Sequence, residues 1–445
     1  MQIRAIAILM GASLVLSGMA TGLDAADNWP TWRGPTPNGV ALKGSPPTEW
    51  SETENVKWKV PVPGQSSSTP IIWGDKLFIQ TAVPTTAEPE PAEPEEDSER
   101  GRRRGPPRGP QPTVPWNFNV VCMDRNSGEI LWEKTAKEAV PHEGHHPTGS
   151  HAPYSPVTDG EKLWASFGSR GLHCYDLDGN HLWSTDLIEM RTRNSFGEGS
   201  SPALAGDAVV VVMDHEGDSM IMAFNKDTGE KIWEHKREEM TSWASPLAIE
   251  VEGNIQVVTS ATKLIRSYDA KTGDIIWECG GMTLNAIPTP VTGFGNVYCM
   301  SGFRGFALKA IELGHTGDLT DSDAIKWEVE EGTPYVASPL LYEDKLYFYS
   351  ERRAVISCYD AKVGTPHFVE QKIDGLGTTY ASPVGAGGHV YLVDREGQFV
   401  VIKLSSNYEV VATNELDDVF DASPVVIGDT IYLKGEKSIY CIAAK

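Results

Sequence analysis

The sequence lacks the short motifs that mark the common metal and hydrolytic sites. Its 445 residues include six cysteines, and no two of them form a CxxC pair, which disfavours a thiolate metal site. No Ser-His-Asp set or pair of catalytic carboxylates is recognisable, so hydrolase chemistry has no positive support. Basic residues are also scarce, with 38 Lys and Arg against 61 Asp and Glu and a net charge of -23. Such a surface repels phosphate backbones and disfavours nucleic-acid partners.

Only one apolar run is long enough to be considered for a membrane, and it lies at the start of the chain. Arg4 precedes an uncharged stretch from Ala5 to Leu23, with small residues near its end. This pattern predicts a secretory signal peptide over residues 1–26, the alternative being an uncleaved anchor helix. The first cysteine is Cys122, so a lipid-anchored cysteine near the cleavage site is not expected. We therefore expect a periplasmic or secreted protein with no membrane span after cleavage.

Four of the six cysteines occupy one repeated position. Cys122, Cys174, Cys358 and Cys441 each sit in a short apolar segment, three of which end in Asp. Equivalent positions in different repeats are held too far apart to bridge, so these residues are expected to be small buried core residues. Cys279 and Cys299 could pair, and the sequence leaves that open.

A repeat decides the architecture. Ser-Pro or Thr-Pro followed by an apolar run recurs eight times, and from Ser155 the steps are 46, 44, 44, 49, 44 and 41 residues. The Ser and Thr positions are Thr69, Ser155, Ser201, Ser245, Thr289, Ser338, Ser382 and Ser423. Each unit continues with alternating apolar strands and Asx/Gly turns, and most units end in a strand that we expect to finish at Trp. Four strands in about 45 residues are typical of a β-propeller blade.

The sequence thus predicts an all-β, eight-bladed propeller of four-stranded antiparallel blades over residues 55–445, after an N-terminal extension at 27–54. The last unit lacks its Trp strand, and residues 55–60 form a Trp strand with no unit before it. Pairing the two would complete the eighth blade and remove an exposed sheet edge.

One segment does not fit the repeat. Residues 84–115 are rich in Pro and Glu and then in Arg, with seven acidic residues just before the arginine run. This composition cannot bury a core, so we expect a disordered surface insert.

The blade motif resembles the pyrroloquinoline-quinone (PQQ) repeat family, whose mark is Tyr-Asp-x-x-Thr-Gly-x-x-x-Trp. Residues 268–277 match it fully. The resemblance implies membership of the quinoprotein alcohol dehydrogenase-like superfamily and, more distantly, similarity to the propeller lipoprotein of outer-membrane barrel assembly. Quinoprotein dehydrogenases of this family bind PQQ and Ca²⁺ at the propeller axis. They usually carry an adjacent Cys-Cys pair, and some have a CxxCH haem motif, both of which this chain lacks.

In a propeller, a ligand site is expected where inter-blade loops surround the axial channel. The loop from 141 to 151 carries four of the chain's 11 histidines. His142, His145, His146 and His151 are therefore candidate metal ligands, although their spacing matches no HExxH site. The alternative is a structured loop whose imidazoles make ordinary hydrogen bonds.

Two further sets of residues are predicted at the same mouth. Basic residues recur at the second hairpin turn of six blades, where they could focus a small anionic ligand or could simply solvate the turns. These are Arg170, Lys263, Arg304, Arg352 (or its neighbour Arg353), Arg395 and Lys437. The second set precedes the Ser/Thr-Pro strands and suits a sugar, a quinone or a peptide. It comprises Tyr154, Trp243, Asn285, Tyr335, Tyr380 and Asp421.

The sequence favours a non-catalytic binding or scaffold propeller outside the cytoplasm, with a protein or a cell-envelope polymer as partner. The alternative is a PQQ-dependent oxidoreductase with Ca²⁺, and a further alternative is glycan binding. No catalytic residue is nominated.

Overall fold

The structure is a computed structural model that describes residues 25–85, 111–351 and 353–444. All but the last two residues of the predicted signal peptide lie outside the described residues, as do most of the predicted insert and Arg352. No helix among the described residues is long and apolar enough to span a membrane. The described part of the chain has three short 3-10 helices, at Ala25–Asp27, Gly168–Arg170 and Arg193–Ser195.

Eight antiparallel sheets follow one another along the chain, each with four main strands, which confirms the predicted eight-bladed propeller. Strand 1 of each blade is short and lies innermost, directly after the Ser/Thr-Pro step. The strands of blades 1 to 8 are, in order, Ile71–Trp73, Lys76–Pro84, Trp116–Asp124 and Ile130–Ala139; Val157–Thr158, Lys162–Ser166, Leu172–Asp176 and His181–Thr185; Ala203–Ala205, Ala208–Met213, Ser219–Asn225 and Lys231–Arg237; Leu247–Val251, Asn254–Thr259, Leu264–Asp269 and Ile275–Gly280; Val291–Gly293, Asn296–Ser301, Ala307–Glu312 and Ile325–Val329; Leu340–Tyr342, Lys345–Ser350, Val355–Asp360 and Pro366–Lys372; Val384–Ala386, His389–Val393, Gln398–Lys403 and Val410–Glu415; and Val425–Ile427, Thr430–Lys434, Ser438–Ala443 and Val56–Pro61.

The eighth blade is closed by the N-terminal Trp strand, as predicted. Val56–Pro61 pairs antiparallel with Ser438–Ala443 and places Trp58 opposite Cys441. The two ends of the described chain are thereby tied into one sheet, and the last blade has no missing strand. One extra pairing is present, because Gly317–Asp318 adds in parallel to the outer strand of blade 4.

The position of the repeated Trp within the outer strand differs from the prediction. The sequence placed Trp at the end of the strand, whereas it is the third residue and the strand continues beyond it, as in Lys231–Arg237 around Trp233. The strand continues because its partner, the third strand, extends equally far from the turn. The Trp ring therefore lies near the turn, where it reaches the neighbouring blade.

The Trp residues join neighbouring blades at their outer borders. The Trp183 ring lies 2.5 Å from where a Cβ would stand at Gly229, whose φ of +75° also favours glycine. Five indole N–H groups donate to a backbone carbonyl of the next blade at 2.9–3.2 Å, namely those of Trp58, Trp132, Trp183, Trp233 and Trp327. The equivalent positions in blades 6 and 7 hold Phe368 and Ala412.

All six cysteines are buried and free. Cys279 and Cys299, whose pairing the sequence left open, lie as free thiols in one core cluster at the border of blades 4 and 5. Burial raises the pKa of both thiols, and that of Cys122 to about 12, so these residues pack as small apolar groups.

The N-terminal extension crosses one face of the propeller before it enters blade 8. Trp29 bonds through its backbone to Ile72 of blade 1, and the Asn38 side chain bonds to the backbone of Thr292 in blade 5. Ser45 then reaches Asp429 in blade 8. Ile72 and Thr292 lie in the first strand of their blades, and Asp429 lies in the turn that follows the first strand of blade 8. This turn is at the far end of the strand from the inter-blade loop. The extension therefore covers the end of the axis opposite the inter-blade loops.

Candidate functional site

The eight repeated Ser and Thr residues form a closed ring of hydrogen bonds around the axis, which we name the lower ring. In every blade the backbone N–H of this residue donates to the side-chain hydroxyl of its counterpart in the next blade, at 2.9–3.0 Å. The last bond runs from the Ser423 N–H to Thr69 Oγ1 and closes the circle. The hydroxyl at this position thus joins adjacent blades at the axis, and no blade lacks it.

A pit of about 320 Å³ opens along the axis above this ring. All eight lower-ring residues line it, and so does the residue two positions before each of them. That second set, the upper ring, consists of Ser67, Pro153, Gly199, Trp243, Ile287, Val336, Tyr380 and Asp421. The inter-blade loops complete the wall, and Trp32 of the N-terminal extension lines the pit from the opposite face. The volume lies at the small end of the range for small-molecule sites, about 300–1,000 Å³.

Arg33 stands beside Trp32 where the extension covers the axis. Its guanidinium donates to Pro339 O at 2.6 Å and to Pro383 O at 3.1 Å, carbonyls that directly follow two lower-ring residues. Its side chain is buried, and within the described part of the chain it forms no salt bridge to a carboxylate. Burial lowers the Arg33 pKa to about 9, so the group is still a cation at neutral pH.

Four of the six predicted mouth residues line the pit: Trp243, Tyr335, Tyr380 and Asp421. The polar edges of the aromatic residues are held by the protein. The Trp243 indole N–H donates to Gly197 O at 2.7 Å, and the Tyr380 hydroxyl accepts from Thr148 at 3.4 Å. Tyr335 contributes to the wall while its ring stacks on Phe303. Each wall ring is thereby held in place by the protein.

The other two predicted mouth residues serve as supports. The Asn285 amide donates to the Tyr335 hydroxyl at 3.2 Å. The Tyr154 hydroxyl donates to Glu198 Oε2 at 2.7 Å, and Glu198 itself lines the pit. Glu198 also accepts from the Ser169 backbone and hydroxyl. Neither Asn285 nor Tyr154 is among the residues that line the pit.

The described members of the predicted basic series lie outside the set of residues that line the pit. Arg170 pairs with Glu198 at 2.8 Å, and Arg395 pairs with Asp421 at 2.5 Å while lying over the face of Tyr380. Lys437 pairs with Asp417 at 3.4 Å, Arg304 lies over the Phe303 ring, and Lys263 is exposed. Arg353, the alternative to Arg352, pairs with Glu370. The two carboxylates that line the pit are thus each neutralised by an arginine of this series.

The histidine loop folds over one side of the mouth. His146 lines the pit and packs edge-on against Phe196. His142 Nε2 lies 2.5 Å from Met190 O, and His145 Nδ1 lies 2.8 Å from His146 O. His151 packs against Trp116, and burial lowers its pKa to about 3. Within the described residues no three His, Cys, Asp or Glu side chains are placed to hold a metal ion.

The residues around the pit are a poor match to calcium and a quinone. Ca²⁺ takes six to eight oxygen ligands, with carboxylates prominent among them. Among the described residues, the carboxylates that line the pit are those of Glu198 and Asp421, which are already paired with Arg170 and Arg395. PQQ bound together with Ca²⁺ would therefore find no free carboxylate for its metal in the described pit.

Sequence reasoning missed the full extent of both rings. It treated the Ser/Thr-Pro step as a marker of the repeat and selected mouth residues by their chemistry, at offsets from one to four positions before that step. Counting two positions back from each Ser/Thr-Pro step would have identified the upper ring from the spacing alone. Phe196 and Glu198 stand five and three positions before Ser201, offsets at which the other blades carry no common residue type.

The sequence profile of a family described as outer membrane protein assembly factor BamB matches residues 117–367, which is 251 of the 445 residues. No curated protein matches the chain. Among solved structures, BamB from Moraxella catarrhalis is similar with a TM-score of 0.59 and 13% identity, covering 88% of this chain and 97% of that one. A quinohemoprotein alcohol dehydrogenase from Comamonas testosteroni is similar with a TM-score of 0.60 and 9% identity, covering 94% of this chain and 81% of that one. At these identities the likenesses show the fold alone.

Proposed function

Because the chain belongs to the PQQ-like propeller family described as outer membrane protein assembly factor BamB, we propose that it is a non-catalytic binding propeller whose ligand is a segment of a partner protein. It works outside the cytoplasm, as Arg4 and the uncharged stretch from Ala5 to Leu23 suggest. The axial pit is the binding site, and its upper ring determines what is bound.

The composition of the pit wall is the observation that carries this proposal. Trp243, Tyr335, Tyr380 and Phe196 supply aromatic area next to a ring of hydroxyl groups. Aromatic side chains of this kind contribute most of the binding energy at protein interfaces and change little in conformation when they bind. The two carboxylates of the wall are held in ion pairs, so neither is poised as a general base. This chemistry suits recognition of a peptide segment better than catalysis.

The test is an array of peptides and an array of glycans, probed with wild-type protein and with Trp243→Ala. We expect saturable binding of one peptide group, lost in the variant because the largest wall ring is gone. Phe294→Ala is the matched control, since Phe294 is 47% exposed at a turn of blade 5 away from the pit, and it should bind like wild type.

Two results would overturn the proposal. Saturable binding of glycans but of no peptide would replace a protein partner by a cell-envelope polymer. Tight binding of PQQ with Ca²⁺, together with dye-linked oxidation of an alcohol, would replace the binding function by an oxidoreductase.

A further inference from the structure

The lower ring leaves eight hydrogen-bond donors without acceptors. Each hydroxyl accepts one backbone N–H from the neighbouring blade, and a hydroxyl also has one proton to donate. In the described part of the chain none of the eight donates to a protein atom, although all are buried and line the pit. Buried polar groups are rarely left unpaired, so the pit favours a ligand rich in acceptor oxygens.

Two buried cations stand behind the pit wall. Arg33 lies below the lower ring, held by the carbonyls of Pro339 and Pro383. Lys434, only 2% exposed, donates to Ser66 O at 2.7 Å, next to Ser67 of the upper ring. Neither cation has a carboxylate within salt-bridge distance among the described residues. A buried charge without a counterion is costly, and a nearby anion would offset that cost.

The two carboxylates that line the described pit are both held in ion pairs. Glu198 is paired with Arg170, and Asp421 with Arg395. Charges exposed to solvent act on the pit only weakly, because salt screens them over about 8–10 Å. Arg33 and Lys434 are thus buried cations beside the described pit that form no salt bridge, and Asp421, Asp418 and Glu436 offset part of the charge of Lys434 alone.

We propose that the pit seats a carboxylate group of its ligand. The carboxylate oxygens accept from lower-ring hydroxyls on the side of Ser338 and Ser382, above Arg33. The apolar part of the ligand lies between Trp243, Tyr335 and Tyr380. This inference rests on the proposed binding function and names the ligand chemistry: either the C-terminal carboxylate of a peptide or a small aromatic carboxylate.

Matched pairs of probes that differ only in the carboxylate test this inference by calorimetry. The first pair is N-acetyl-Gly-Gly-Phe with a free or an amidated C-terminus, and the second is 3-phenylpropionate with 3-phenylpropanamide. We expect each acid to bind about tenfold or more tightly than its amide, because hydrogen bonds to a charged acceptor are stronger than those to a neutral one. Preference for the peptide acid over phenylpropionate identifies a chain terminus as the source, and the reverse order identifies a small molecule.

Arg33→Met removes the cation below the ring and should abolish most of the preference for the acids while leaving amide binding unchanged. Lys231→Met is the control, because Lys231 is an exposed partner of Glu234 on the outer strand of blade 3 and does not line the pit, and it should keep the full preference. If Arg33→Met does not fold, Lys434→Met serves as the second variant, with a smaller loss of preference expected. Melting curves establish that each variant is folded.

Equal binding of acids and amides by folded wild-type protein overturns the inference but leaves the proposed function standing. An acid preference that survives in both cation variants also overturns it. Absence of binding by all four probes, together with negative peptide arrays, overturns the proposed function as well.

Discussion

The two rings that line the pit lie two residues apart in every blade, yet they differ in how much they vary. The lower ring contains only Ser and Thr, whereas the upper ring ranges from Gly199 to Trp243 and from Ile287 to Asp421. Every lower-ring hydroxyl accepts the same inter-blade hydrogen bond, so an apolar residue there would leave a buried N–H unpaired. Upper-ring side chains make no such repeated bond. The difference indicates that the lower ring holds the blades together and the upper ring is free to vary for binding.

The largest expected effect concerns Lys434, the buried cation behind the upper ring. Burial lowers its pKa from 10.5 to about 8. Between pH 8 and pH 10.5 the unfolded chain therefore holds a proton at this lysine that the folded protein has lost, so stability rises with pH across this window. A shift of this size corresponds to about 3 kcal/mol. Lys434→Met should raise the free energy of unfolding at pH 7 by up to that amount.

The measurement is urea unfolding from pH 7 to pH 10.5, analysed as the difference between wild type and variant so that other titrating groups cancel. The difference should shrink as the pH rises. Lys437→Met, at an exposed lysine three residues away, is the control and should show no such trend. If Lys434→Met destabilises the protein at every pH, the fold compensates the charge of Lys434. This lysine behind the upper ring would then serve to hold the structure together, as the lower ring does.

The lower ring is tested by Ser245→Ala, which removes the acceptor of the Ser201 N–H. We expect a loss of about 1–3 kcal/mol in the free energy of unfolding, the cost of an unsatisfied buried donor. Ser245→Thr should restore most of this loss, because Thr occupies the same place at Thr69 and Thr289. Chemical denaturation measures both variants. An alanine variant as stable as wild type would show that the ring does not hold the blades together.

The upper ring is tested by Tyr380→Ala, with ligand affinity as the readout. Removing this wall ring should weaken binding about tenfold, equivalent to about 1.4 kcal/mol, while unfolding changes less than in Ser245→Ala. Tyr380→Phe should bind nearly as wild type, because the hydroxyl has only the long 3.4 Å contact from Thr148. If Tyr380→Ala lowers the free energy of unfolding by more than it weakens the free energy of binding, the upper ring also stabilises the fold. The two rings would then not have separate roles.

Much of the fold could be predicted because its signals are local and repeated. The Ser/Thr-Pro step and the turn glycines recur at nearly constant spacing, and the displaced Trp strand at 55–60 indicated how the last blade closes. Three of the four predicted mouth residues that line the pit, Trp243, Tyr380 and Asp421, stand two positions before that repeated step. The contacts that Arg33 makes below the lower ring could not be predicted. Arg33 meets Pro339 and Pro383 across 306 and 350 residues, and no local pattern encodes contacts of that range.

The sequence by itself determined the number of blades and their strand order, because both depend on a period that repeats along the chain. Only the tertiary structure decided the chemistry of the pit. Folding pairs Glu198 with Arg170 and Asp421 with Arg395, and it leaves Arg33 and Lys434 buried without a counterion. The sign of the charge in a site depends on which charges are paired and which are desolvated, and both follow from distances in space that the order of residues does not specify.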